Sequence, residues 1–262
     1  MSGSAAWSGR QVRDSFNDIP SVLYYTRAAH FLGLWESERV LIQRHLPDPE
    51  APILEAGCGA GRVTLGLWRL GYHRLWAFDF AAELLDQAQS LAASKGAEAI
   101  AFACADATLV DRRSFPTMPG EGFSAALFMF NGLMQIPGRQ NRRAALVRLH
   151  ALCRPGAPMI FTSHDRDHAS AEGGHWRAEK EKWDAGRQDA RLSDFGDRRF
   201  RDESGEVFIN IPSRGEVLED LAATGWGHAH DAMRSDLAKE SHAVSAFSDD
   251  CRFWVSLRGD AR

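Results

Sequence analysis

The run ILEAGCGAG, from Ile53 to Gly61, restricts this 262-residue chain more than any other stretch. Ile53 and Leu54 close a short apolar strand, and Glu55 sets a carboxylate at its carboxyl end. Gly57, Gly59 and Gly61 then leave the following loop almost bare of side chains. Beyond it, Val63, Leu65, Leu67, Trp68 and Leu70 make a helical pattern that Gly71 stops. Strand, glycine loop and helix together open a nucleotide-type site, because glycines let a ligand lie directly on the backbone.

The spacing narrows the ligand. A dinucleotide fingerprint is G-x-G-x-x-G, with a helix start turned toward a pyrophosphate. Here the spacing is G-x-G-x-G, and Arg62 stands where the third glycine of that fingerprint belongs. Glu55 would repel a phosphate and suit an amino group. A nucleoside with an ammonium and no phosphate describes S-adenosylmethionine (SAM). On these residues the stretch resembles motif I of the class I (Rossmann-like) SAM-dependent methyltransferases, E/D-x-G-x-G-x-G.

The rest of the centre repeats the alternation. Residues 74–80, 99–106, 123–131 and 157–163 read as strands, with amphipathic helices near 81–95 and 139–153. Alternating strands and helices demand a mostly parallel sheet covered on both faces, with ligands off the carboxyl ends of the strands. Residues 206–212, 226–234 and 251–258 read as further strands, and Ser213 with Glu216 makes a capping box for a helix between them. The expectation is an α/β fold whose seven-stranded sheet carries helices on both faces. Residues 1–12 are expected to be a disordered lead and 13–262 one domain. Within it, 13–46 is helical and divided at Pro20, and 164–206, rich in charge, is an insertion read as a helical cap. Both segments are expected to serve as lids.

The resemblance assigns roles. Asp79, ending the second strand, would take the ribose hydroxyls as charge-assisted hydrogen bonds, with Phe80 flanking the adenine. Asp106 would accept the adenine amino group, and the Ala107 amide would read the ring. Phe128 to Asn131 corresponds to motif IV beside the reactive methyl. Together Glu55, Gly57, Gly59, Gly61, Asp79, Phe80, Asp106, Ala107 and Phe128 form the expected cofactor set. Tyr24, Tyr25 and Phe130 are the aromatics expected at the substrate. In-line methyl displacement needs alignment more than acid–base help, so a base serves only an acceptor that arrives protonated. His164, after the fifth strand, and Asn131 are the catalytic candidates.

Other chemistries fit less well. His164, Asp165, Asp167 and His168 have a ligand-like spacing, yet their setting is that of a solvated lid, and no metal is expected. Net charge is -4, which gives no basic footprint for nucleic acid, and FNGLMQ lacks the prolines of base and amide methylases. Four scattered cysteines suit buried, reduced thiols, and no long apolar run or leader is evident, so a cytoplasmic protein is expected. The partner implied is a small-molecule acceptor, without nucleic acid or membrane. Methylation of protein or RNA, and SAM binding for another purpose, remain the alternatives.

Overall fold

The computed structural model describes residues 6–168 and 173–259. Three helices come first: α1 (Gly9–Phe16), α2 (Ile19–Phe31) and α3 (Glu36–His45). The region up to residue 12 is therefore not an unstructured lead throughout. Ser8 caps α1 with a reciprocal bond to Gln11, and Val12 is buried; residues 1–5 lie outside the described residues. Pro20 starts α2 instead of splitting a helix, since its missing N–H would have no intrahelical partner there. The break between α2 and α3 comes at Gly33, whose φ of 60° reverses the chain.

The alternating centre gives β1 (Ile53–Ala56), α4 (Arg62–Arg69), β2 (Leu75–Asp79), α5 (Ala82–Ser94) and β3 (Ala101–Cys104). It continues with β4 (Ala125–Phe128), α6 (Arg139–Leu152) and β5 (Pro158–Ser163). Side chains of successive strand residues enter opposite cores: Leu54, Phe78, Ala126 and Phe161 join one cluster, and Ile53, Leu75, Leu127 and Ile160 the other. Helix α6 covers the first face, and α4 and α5 cover the second.

The insertion is not purely helical. After α7 (Gly173–Asp184) it forms an antiparallel hairpin, β6 (Asp197–Asp202) and β7 (Gly205–Asn210). Ser213 caps α8 (Arg214–Ala223) with the expected box, its Oγ accepting the Glu216 N–H at 3.2 Å. The chain ends with β8 (Trp226–Met233), short helices α9 (Arg234–Leu237) and α10 (His242–Phe247), and β9 (Arg252–Arg258). Seven strands form one sheet in the order β3-β2-β1-β4-β5-β9-β8, parallel from β3 to β5, with β9 antiparallel to both β5 and β8. This is the seven-stranded, mostly parallel sheet read from the sequence. Cys58, Cys153 and Cys251 are buried free thiols, whereas Cys104, on the edge strand, is exposed.

Candidate active site

The order reverses beside β1, so the chain leaves β1 and β4 on opposite sides and opens a crevice over their carboxyl ends. A cavity of about 1080 Å³, counting its open mouth, lies there. Gly57 and Gly59 form its floor. Asp79 and Phe80 from β2, and Asp106, Ala107 and Thr108 after β3, line one flank. Phe128 to Phe130, Gly132, and Gln135 to Pro137 line the other. Gly9 and Phe16 of α1 and Tyr25 of α2 roof it. No residue of 164–206 lines it among the described residues, so the expected second lid is not part of the wall.

The loop is shaped by its glycines. Gly57, Gly59 and Gly61 have φ of 61°, 52° and 84°, in the left-handed region. A Cβ on Gly57 would sit 2.7 Å from Phe128 Cε2, while one on Gly59 would meet nothing within 4 Å, so the bare backbone at Gly59 faces open space. Gly61 lets α4 approach α5, where its Cβ would lie 3.1 Å from Ala88 Cβ. The Gly59 N–H donates to Asp79 Oδ2 at 2.8 Å, and the Ala81 N–H to Oδ1 at 2.9 Å. Burial raises the Asp79 carboxyl above its ordinary range, against the pull of these N–H donors. Asp106 is exposed at the rim, its Oδ1 accepting from the Thr108 N–H and hydroxyl.

Glu55 is placed differently from the expectation. It is 3% exposed, is not among the lining residues, and accepts a hydrogen bond from the Thr64 hydroxyl of α4. Burial pushes its carboxyl up to about 8, with the Thr64 bond opposing. The group ahead of the loop is thus a buried acid bonded to α4, outside the cavity lining. Its linkage sign follows. An unfolded glutamate loses its proton near the ordinary 4.5, while the folded one keeps it to about 8, so stability falls as pH rises across that window. Glu55→Gln removes the penalty. Its stability relative to the unsubstituted protein should improve between about pH 5 and pH 8, checked by urea unfolding at both. A gap that stays constant would refute the assignment.

Phe128 and Phe130 divide the β4 tip between them. The Phe128 ring is wedged between Gly57 and Gly132. Phe130 and Asn131 both have positive φ, 51° and 59°, conformations costly for residues with side chains and held here by neighbours. The Asn131 N–H donates to Thr162 Oγ1 at 2.7 Å, and its Nδ2 lies 3.2 Å from His164 Nε2. His164 Nδ1 lies 3.3 Å from the Asp250 carbonyl, so its two ring nitrogens meet Asn131 on one side and the backbone ahead of β9 on the other. Neither Asn131 nor His164 is among the lining residues; they tie the β4 turn to β5 and the approach to β9.

The aromatics form one cluster. Phe130 meets Tyr25 edge-on at 6.0 Å, Trp35 at 5.6 Å, and stacks on Phe247 at 5.4 Å. Tyr25 lines the cavity; Tyr24 does not, stacking on Phe247 at 4.6 Å. Three residues have a weight that the sequence reading did not give them. Arg62 makes a two-pronged pair with Glu38 at 2.6 and 2.7 Å, donates to the Gly33 carbonyl at 2.8 Å, and lies 4.5 Å over Trp35. Its only sequence signal was a large cation in a glycine loop. Phe247 arrives from α10, and Gln135 from the turn after β4, hydrogen-bonded to Tyr25; neither announces itself locally.

Residues 53–156 match the family model described as a methyltransferase domain. No curated protein matches the chain by sequence. Among solved structures, a SAM-dependent methyltransferase from Methanosarcina mazei is similar at TM-score 0.62 and 15% identity, covering 84% of this chain and 97% of its own. The 1,6-didemethyltoxoflavin-N1-methyltransferase of Burkholderia thailandensis, with its substrate and S-adenosylhomocysteine bound, is similar at TM-score 0.61 and 16% identity, covering 98% and 93%. The [4+2]-cyclase SpnF is similar at TM-score 0.65 and 16% identity over 100% of both chains. At such identities the likeness is one of fold. Residues 53–156 thus match a methyltransferase domain, and the seven-stranded sheet has the fold of the class I, Rossmann-like methyltransferases. Among the described residues, no helix is long and apolar enough to cross a membrane.

Proposed function

We propose that the cavity binds SAM and that the enzyme passes its methyl group to a small-molecule acceptor, leaving S-adenosylhomocysteine. One observation carries the reading: two carboxylates at successive strand tips, Asp79 and Asp106, share a cavity whose glycine floor is open above Gly59. The cradle fits the group, since open space lies above Gly59 and the carboxylates of Asp79 and Asp106 line the same cavity. When bound, the cofactor supplies a methyl already activated on a sulfonium. Asp79 would hold the ribose hydroxyls, Asp106 and the Ala107 amide the adenine edge, and Phe80 its face. Gly57 and Gly59 would let the amino-acid portion lie on the backbone, while Gly61, outside the lining, holds the loop's far end against α5. The Phe128 and Phe130 rings line the wall of the β4 flank beside the loop. Phe16 and Tyr25, on the amino-terminal helices, exclude water from the line of attack. His164 we read as holding Asn131 in its left-handed turn, which sets the β4 flank.

Small-molecule acceptors are supported by the roofed cavity and by the Burkholderia structure, which holds 1,6-didemethyltoxoflavin. The full-length likeness to a [4+2]-cyclase supports a second reading, in which the same fold binds the cofactor for another reaction. Four free cysteines favour a reducing compartment such as the cytoplasm. Asp79→Ala is expected to weaken S-adenosylhomocysteine binding by about 1.5–3 kcal/mol, the loss of charged hydrogen bonds, measured by calorimetric titration. Unchanged affinity would place the ligand elsewhere. Release of S-adenosylhomocysteine from labelled SAM, with label in the small-molecule fraction, would separate methyl transfer from the second reading.

A further inference from the structure

Sheet order divides the large cavity into two flanks. The tips of β3 and β2 lie on one side of the glycine loop, and the tip of β4 with its following turn on the other. Both lining carboxylates, Asp79 and Asp106, belong to the first flank. The second holds Phe130, Gln135, Ile136 and Pro137. Phe16 spans the roof between them, its ring 5.9 Å from Phe80 and 5.5 Å from Tyr25. The β4 flank is therefore a slot between aromatic rings with two side-chain amides in its wall, Gln135 and Asn141, the latter already donating its Nδ2 to the Pro137 carbonyl at 2.7 Å.

Gln135 stands on a braced support. Its turn, Gly132–Gln135, begins at the left-handed Asn131, which Thr162 and His164 hold. Leu133 and Met134 anchor the turn in the core at 1% and 4% exposure. Gln135 itself is half-buried in the cavity wall, and its side chain shares a hydrogen bond with Tyr25. An amide is both donor and acceptor, so it matches a ligand edge that is likewise both. Charge completes the description: among the described residues the lining holds two acidic side chains and no basic one. An anionic ligand would meet like charge without a counter-ion in a setting that screens little.

We propose that Gln135, together with Tyr25, determines acceptor specificity, and that the acceptor is an uncharged, planar aromatic or heteroaromatic molecule with a hydrogen-bonding edge. This rests on the methyl-transfer reading above. Phe16, Tyr25 and Phe130 supply the stacking surface, and Gln135 reads the edge in the plane of the ring.

The test uses full-length protein saturated with S-adenosylhomocysteine and two matched pairs of probes. These are 4-quinolone with its 2-carboxylate, and quinazolin-4-one with its 2-carboxylate. Calorimetric titration is expected to show the neutral member of each pair binding at least about tenfold more tightly. Gln135→Leu should weaken the neutral probes about tenfold while S-adenosylhomocysteine affinity stays within about twofold. Gln135→Asn, which keeps the amide, should lose less than Gln135→Leu. Carboxylates binding as well as their neutral partners, or no neutral probe binding at millimolar concentration, would overturn the proposal. So would neutral-probe affinity that ignores Gln135→Leu. Failure of the unsubstituted protein to bind S-adenosylhomocysteine would instead overturn the cofactor reading and this proposal with it, so the two failures are told apart by the first titration.

Discussion

Arg62→Leu is expected to lower unfolding free energy by about 3–5 kcal/mol, because it strands a carboxylate in the core. Glu38 is 1% exposed, and both its oxygens take Arg62 N–H groups, at 2.6 and 2.7 Å. Without the guanidinium, Glu38 keeps only the Trp35 N–H at 2.8 Å as compensation. The carbonyl of Gly33 loses a donor in the same step. The double variant Arg62→Leu/Glu38→Gln separates charge from packing. A neutral amide there still caps α3 and no longer needs a counter-ion, so it should recover roughly half the loss or more. Urea unfolding of the two variants decides the matter. If the double variant is no more stable than the single one, the pair is not acting as a buried ion pair.

Gly57→Ala should cost roughly 2–5 kcal/mol, the sum of two penalties that arise at one atom. The residue sits at φ 61°, where an L side chain is strained by about 1–2 kcal/mol. Its Cβ would also fall 2.7 Å from Phe128 Cε2. That ring has no direction to yield, since a Cβ on Gly132 would lie 2.6 Å from the same atom. Overpacking of this kind typically adds about 1–3 kcal/mol. Gly57→Ala/Phe128→Leu should recover the overpacking and leave the backbone strain. Thermal or urea unfolding reads both, with S-adenosylhomocysteine affinity as the functional check. A Gly57→Ala protein as stable as the parent would mean that the floor is not packed as described.

What could be read from the sequence was what is local and sequential. Apolar runs, helix caps and the glycine loop give β1 to β5, α4 to α6 and the α8 box in place and in order, with β3 and β4 read longer than they are. Asp79 and Asp106 were found because a strand's end is visible in the chain. Where Glu55 points is a tertiary matter: it is set by Thr64, in the first turn of α4, and by burial that raises its carboxyl. His164 likewise takes its character from Asn131 and Asp250, which only folding brings beside it. Gln135 and Phe247 meet Tyr25 and Phe130 across long stretches of chain, so no periodicity could reveal them. Charge density in 164–206 hid a hairpin, because both of its strands carry ion pairs such as Arg199–Glu206 on their exposed face.

That hairpin lies a layer back from the cavity. Trp7, just ahead of α1, stacks on Phe208 at 6.1 Å, Arg199 lies 5.0 Å over the Trp7 ring, and the Ser21 hydroxyl donates to the Ser204 carbonyl. The roof is thus hung from a bracket that never meets what passes beneath it. A residue of the hairpin can therefore reach the cavity's contents only through α1 and α2, whereas one in the slot meets them directly.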